Sequence, residues 1–234
     1  MRNEQPSSKQ PSSIWVVCPA YNEASTIAPV VTGLCRAGYH VIVVDDGSLD
    51  QTRQLATGLA AAVISHPVNL GQGAALKTGI DFALAQGAEF IVTFDTDGQH
   101  RPTDIPRLLD ALVCNRADFA LGSRFLNEPR TMPRTRRVLL WAATLFTVAT
   151  TGLRLTDTHN GLRAFTRCGA AALQLRQNRM AHASELLAEI ARSRLRYVEV
   201  PVTIDYTAYS MAKGQRTGDF VMILLDLLAR KLYR

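Results

Sequence analysis

Five short apolar runs punctuate the first half of the chain, each separated from the next by a longer helix-like stretch. IWVVC (Ile14–Cys18) is followed by a helical pattern over about Thr26–Ala37. HVIVVDDGS (His40–Ser48) is followed by another from about Asp50. AAVISH (Ala61–His66) leads to a third over Gln72–Ala85, and EFIVTFD (Glu89–Asp95) and DFALGS (Asp118–Ser123) continue the series. Continuous β-rich runs without a polar alternation suit strands covered on both faces. The pattern therefore predicts an α/β fold: a mostly parallel central sheet with helices on both faces. In such sheets ligands gather outside the carboxyl ends of the strands. Pro19-Ala20-Tyr21-Asn22-Glu23, Asp45-Asp46-Gly47-Ser48, Asn69-Leu70-Gly71-Gln72-Gly73 and Asp95-Thr96-Asp97 each follow a different strand, so all four clusters belong on one sheet edge. Singly, each is ordinary turn chemistry. Together they mark the edge as functional.

Length bounds the rest. At 234 residues, 47% of them apolar, the chain has material for one large domain. Residues 1–13 are polar, lack the apolar core of a secretory signal, and read as a disordered tail. The folded domain is expected over 14–215, and a C-terminal apolar and basic helix over 216–234. The four cysteines are widely spaced, with no C-x-x-C pair, and Cys18 and Cys35 fall in apolar surroundings, as for core thiols in a reducing compartment. A net charge of +6 favours an anionic partner. The basic residues lie beside apolar helices and lack an aromatic stacking platform, which argues for lipid and against nucleic acid.

FDTDGQH (Phe94–His100) places two carboxylates one residue apart at a strand end. Convergent carboxylates repel unless a proton or cation lies between them, and oxygen ligands suit a hard divalent ion. Asp95 and Asp97 are therefore candidate ligands for Mg²⁺ or Mn²⁺.

The ordered set P-A-Y-N-E, V-D-D-G-S, N-x-G-x-G-A-A-x-K and D-T-D-G-Q-H resembles the family 2 glycosyltransferases, which have the GT-A nucleotide-diphospho-sugar transferase fold. G-S-R (Gly122–Arg124), D-T-H-N-G-L-R-A-F (Asp157–Phe165) and V-E-V-P-V-T-I-D-Y (Val198–Tyr206) are similar to the branch of dolichol-phosphate mannose synthases and bacterial polyprenyl-phosphate sugar transferases. The resemblance implies a nucleotide-sugar donor, a metal ion, and inversion at the anomeric centre. It assigns Pro19, Ala20, Tyr21, Glu23, Asp45, Asp46, Asp95 and Thr96 to the nucleotide, and Gln99 to the metal beside Asp95 and Asp97. Lys77 is either near the nucleotide or a solvated helix residue.

The acceptor decides whether a base is needed. A sugar hydroxyl must lose a proton, whereas a lipid phosphate is already anionic and needs cationic groups to position it. Arg124 and Arg163 suit a phosphate, Arg presenting a planar fork, and Lys213 is a further candidate. The same arginines could instead pair with Asp157. Glu185 is either a base for a hydroxyl acceptor of cell-wall or capsule polysaccharide synthesis or a solvated helix residue. The expectation is sugar transfer to a polyprenyl phosphate of undecaprenyl or dolichyl type, with Asp97, Arg124 and Arg163 at the reaction centre.

Val138–Leu153 is uncharged and is entered through Arg130, Arg134, Arg136 and Arg137. At 16 residues, with several threonines, it is short for a span. It reads either as an interfacial helix, with its arginines on lipid head groups, or as a helix buried in the domain. Asp219–Arg234 is similarly apolar and ends basic. These two segments, or a small membrane-protein partner, would hold the chain on the cytoplasmic face of the membrane.

Overall fold

The computed structural model describes residues 13–126, 144–145, 147–158, 160–175 and 182–205. Seven strands form one sheet: β1 (Ile14–Ala20), β2 (His40–Asp45), β3 (Ala62–Ser65), β4 (Phe90–Thr93), β5 (Phe119–Ser123), β6 (Arg163–Thr166) and β7 (Tyr197–Pro201), in the order β3-β2-β1-β4-β6-β5-β7. β6 pairs antiparallel with both β4 and β5, and the remaining pairings are parallel. The α/β expectation thus holds, with one reversed strand.

Strand side chains alternate between two cores. Val16, Cys18, Val41 and Val43 face α1 (Ile27–Arg36) and α4 (Ile105–Cys114), which contribute Ile27, Val31, Leu34, Ile105, Leu108 and Leu112. Val17, Ile42, Val44 and Ile91 face α3 (Gln72–Ala85), α5 (Arg167–Ala172) and α6 (His182–Ser193). Both strand faces are buried, which is why these runs lack polar alternation. A short helix, α2 (Thr52–Ala56), links β2 to β3. At Gly79 of α3 a Cβ would overlap the side chain of Val17, so glycine lets this helix press against β1.

β1 extends two residues beyond the expected end and includes Pro19. The carbonyl of Val17 accepts from the N–H of Phe94, so that residue and Pro19, two further on, point their backbone groups toward β4. β4 has ended at Thr93, and the missing N–H of Pro19 leaves no ladder bond broken. The Pro19 carbonyl instead accepts from Thr96 Oγ1 at 3.0 Å.

All four cysteines are free. Burial first, then the charge of Asp95, push the Cys18 thiol up, as expected for an inert core thiol. Residues 147–151 are helical, with Thr147 buried, as is Thr144. Thr151 Oγ1 donates to the Thr147 carbonyl at 2.7 Å. Thr144 and Thr147, within the uncharged run, are therefore on the protein side, while Leu145 is 54% exposed. Among the described residues no helix is long and apolar enough to cross a membrane. The arginines at 130–137, Lys213 and the segment 216–234, expected to be helical, lie outside the described residues, as do residues 1–12.

Candidate active site

The carboxyl ends of β1, β2 and β4, with the turn between β3 and α3, enclose a cavity of about 550 Å³. Pro19, Ala20, Tyr21, Glu23, Asp46, Asn69, Gly71, Gln72, Ala75, Asp95, Thr96 and Asp97 line it, so residues from all four clusters meet there.

Loops from different strands are tied together before any ligand is considered. Asn22, at φ 55°, donates its N–H to Ser48 Oγ at 3.0 Å, and its Oδ1 accepts from Leu49 N at 2.9 Å. A left-handed backbone is tolerated by asparagine, whose short amide bonds locally. Glu23 donates its N–H to Thr52 Oγ1 at 2.8 Å, and its Oε2 accepts from Thr26 Oγ1 at 3.1 Å. Asp45 Oδ1 accepts from Ser48 N at 3.3 Å. Asp45 is buried and is not among the residues lining the cavity.

Asp46 has a clear structural task. Oδ1 accepts from Leu70 N at 3.0 Å and pairs with His66 Nδ1 at 2.7 Å, while Oδ2 accepts from Gly71 N at 2.7 Å. His66 Nε2 lies 3.0 Å from Thr78 Oγ1 on α3. Asp46 thereby fixes the N-L-G-Q-G turn, in which Gly71 sits at φ 102°. Neither His66 nor this anchoring was readable from turn composition alone.

The turn delivers Gln72 to the carboxylate pair. Its Nε2 donates to Asp95 Oδ1 at 2.9 Å, and His100 Nε2 lies 3.3 Å from Asp95 Oδ2. His100 is buried, edge-on to Phe94, and its Nδ1 has no hydrogen-bond partner among the described residues. Asp97 Oδ1 accepts from Gln99 N at 3.0 Å. Burial first, then the neighbouring Asp95, push the Asp97 carboxyl up; the Gln99 N–H and His100 oppose that, and Glu23 adds to it. The half-buried Gln99 also receives the Asp205 N–H on its carbonyl.

Behind the pair stands Arg163, at the start of β6 and opposite Thr93 of β4. It is buried, and burial pushes its guanidinium down against the support of Asp95 first and Asp157 second. It does not line the cavity. Gly161, two residues before Arg163, lets the backbone pass close to Asp95: a Cβ there would overlap the Asp95 carboxylate, whose Cγ would lie 2.6 Å away. Arg124, just past β5, donates through Nε to Asp157 Oδ2 at 2.6 Å and through its backbone N–H at 3.2 Å. Lys77 points elsewhere, pairing with Asp81 at 2.5 Å on the exposed face of α3, away from the cavity lining. That is the solvated arrangement left open above. Among the described residues no three His, Cys, Asp or Glu side chains converge as a closed metal cage.

The family model for glycosyl transferase family 2 matches residues 15–177, which include every residue lining the cavity. The chain is a family 2 glycosyltransferase. This glycosyltransferase is 34% identical to the UDP-N-acetylglucosamine–dolichyl-phosphate N-acetylglucosaminyltransferase of Methanococcus voltae, covering 94% of this chain and 96% of that one. It is 32% identical to the undecaprenyl-phosphate mannosyltransferase of Micrococcus luteus, covering 89% of each. A solved structure of glucosyl-3-phosphoglycerate synthase from Mycobacterium tuberculosis, in complex with Mn²⁺ and uridine-diphosphate-glucose, aligns over 95% of this chain and 78% of that one, with a TM-score of 0.69. At 21% identity that likeness shows the GT-A fold.

Proposed function

We propose that this glycosyltransferase moves a sugar from a UDP- or GDP-sugar to a polyprenyl phosphate, with inversion, at the cytoplasmic membrane face. The cavity is of a size suited to a nucleotide, and Pro19, Tyr21 and Glu23 line the part expected to take base and ribose. Asp95 and Asp97 suit a hard divalent cation, Mg²⁺ or Mn²⁺, as oxygen donors at the cavity wall. Burial first and the neighbouring Asp95 second disfavour charge on Asp97, a cost that a bound cation would offset. With Gln99 as a further expected ligand, the remaining coordination positions would fall to diphosphate oxygens and water. When bound, the metal would offset the charge that builds on the departing diphosphate.

The arrangement around Arg124 carries the choice of acceptor. The carboxylate beside it, Asp157, is buried and already bonded by both the Nε and the backbone N–H of Arg124, so it is poorly placed to take a proton from a hydroxyl. A phosphate acceptor needs no such base and is served by a guanidinium held in a fixed plane. Similarity to the Methanococcus and Micrococcus enzymes, over nearly the whole chain, supports the same acceptor class. Arg124→Ala should raise the KM for a short polyprenyl phosphate by about tenfold or more, the cost of a lost charge-assisted contact, and leave the donor KM unchanged. Equal acceptor KM in wild type and variant would remove Arg124 from the acceptor site. Turnover on a sugar hydroxyl, abolished by Glu185→Gln, would replace the proposal with a hydroxyl acceptor.

A further inference from the structure

β7 carries a carboxylate that the nucleotide cavity does not use. Glu199, half-buried, lies in register with Leu121 of β5. Its Oε1 accepts from Thr156 N at 2.8 Å, Thr156 Oγ1 at 3.0 Å and Asp157 N at 3.2 Å, and its Oε2 from Thr156 N at 3.0 Å. Two residues earlier on the same strand face, the Tyr197 hydroxyl accepts from Arg154 N at 3.0 Å. β7 thus grips the segment that carries Asp157.

The proton directions extend this grip across β5. Thr156 gives its hydroxyl proton to Glu199, so Ser123 Oγ, 2.6 Å from Thr156 Oγ1, must be the donor to it. Ser123 Oγ in turn accepts from Phe125 N at 3.2 Å. A one-way series runs from Phe125 N–H through Ser123 and Thr156 to the Glu199 carboxylate. It brackets Arg124 on both sides: Ser123 and Phe125 are its chain neighbours, and Asp157, next to Thr156, receives its Nε and N–H.

We propose that Glu199 is a positioning residue for the acceptor: through Thr156 and Asp157 it fixes the guanidinium of Arg124 in the plane that receives the acceptor phosphate. The inference rests on the reading of Arg124 given above. Arginine has many rotamers, and holding its Nε in advance removes an ordering cost that the acceptor would otherwise meet on binding. A glutamine at 199 keeps the shape but replaces one oxygen with an NH₂ group, setting donor against donor at Thr156 or Asp157.

The test is a double-mutant cycle on the full chain, using Glu199→Gln, Arg124→Ala and the pair. The readouts are acceptor KM with a short polyprenyl phosphate, donor KM, and UDP binding in the presence of Mn²⁺. Glu199→Gln is expected to raise acceptor KM about tenfold, the usual cost of a lost outer-shell partner, with donor KM and UDP binding unchanged. In the Arg124→Ala background it should add less than about twofold, because the two residues act as one unit. An equal rise in both backgrounds, or no rise while Arg124→Ala still shows one, overturns the role of Glu199. No effect of Arg124→Ala itself overturns the acceptor reading, and the inference with it. Should Glu199→Gln fail to bind UDP, Thr156→Ala, which cuts the series at its middle hydroxyl, decides by the same criteria.

Discussion

The metal-ligand role proposed for Asp97 runs against its contribution to stability. Its carboxyl is held above the ordinary range by burial and by Asp95. Folding therefore favours the protonated form; the charged form costs stability above the raised pKa, and that cost vanishes below the unfolded value. Asp97→Asn should lower turnover by about a thousandfold, on the scale of removing a charge-stabilising group, yet leave the metal-free melting temperature equal or higher at neutral pH. Any gain should shrink as pH falls through the acid range, which thermal melts in chelator at several pH values would show. Arg163 is the converse case. Its buried guanidinium supports Asp95 first and Asp157 second; Arg163→Leu would remove that support from Asp95, Asp157 keeping Arg124, at a cost of about 3 kcal/mol. Denaturant unfolding would measure the loss, and Mn²⁺ with UDP should restore part of it. That acids gather at this cavity was legible in the sequence because each cluster follows a different strand of one parallel series. Gln72, His100 and Glu199 were not, because their partners lie 23, 5 and 42–43 positions away, and only folding brings those partners together.

At the scale of elements, the first five strands were readable from their apolar runs, and the shared edge followed from their parallel order. The reversed strand β6 was not, although R-A-F-T lies within a motif noted for other reasons. Its direction is set by pairing with β4 and β5, at separations that no local pattern encodes. The reversal has a consequence for the site: Gly161 and Arg163 enter from the opposite direction and close over Asp95. Gly161→Ala should weaken Mn²⁺–UDP binding by at least tenfold, measured by calorimetry, because the added Cβ displaces the carboxylate. The turn held by Asp46 makes a second prediction. Asp46→Ala strands the N–H groups of Leu70 and Gly71, so stability should fall by about 2 kcal/mol. Donor KM should rise in parallel, since the same turn places Gln72.

Across the whole molecule, one sheet edge gathers the cavity beside β1–β4, with Arg124 just past β5 and Arg163 at the start of β6. The arginines at 130–137 and the segment Asp219–Arg234, both expected to meet a membrane, lie beyond the described residues, while the uncharged run after those arginines is described in part, with Thr144 and Thr147 buried. The full chain should co-sediment with vesicles containing anionic lipid and be released by raised salt, as screening of basic side chains requires. The central claim concerns the reaction itself. It is tested most directly by incubating the purified chain with Mn²⁺ or Mg²⁺, individual UDP- and GDP-sugars, and a short polyprenyl phosphate, and following the labelled sugar into the organic phase. Lipid-dependent nucleotide release matched by sugar in the lipid fraction is the predicted result; nucleotide release that is unaffected by the lipid, with no sugar in that fraction, would contradict it.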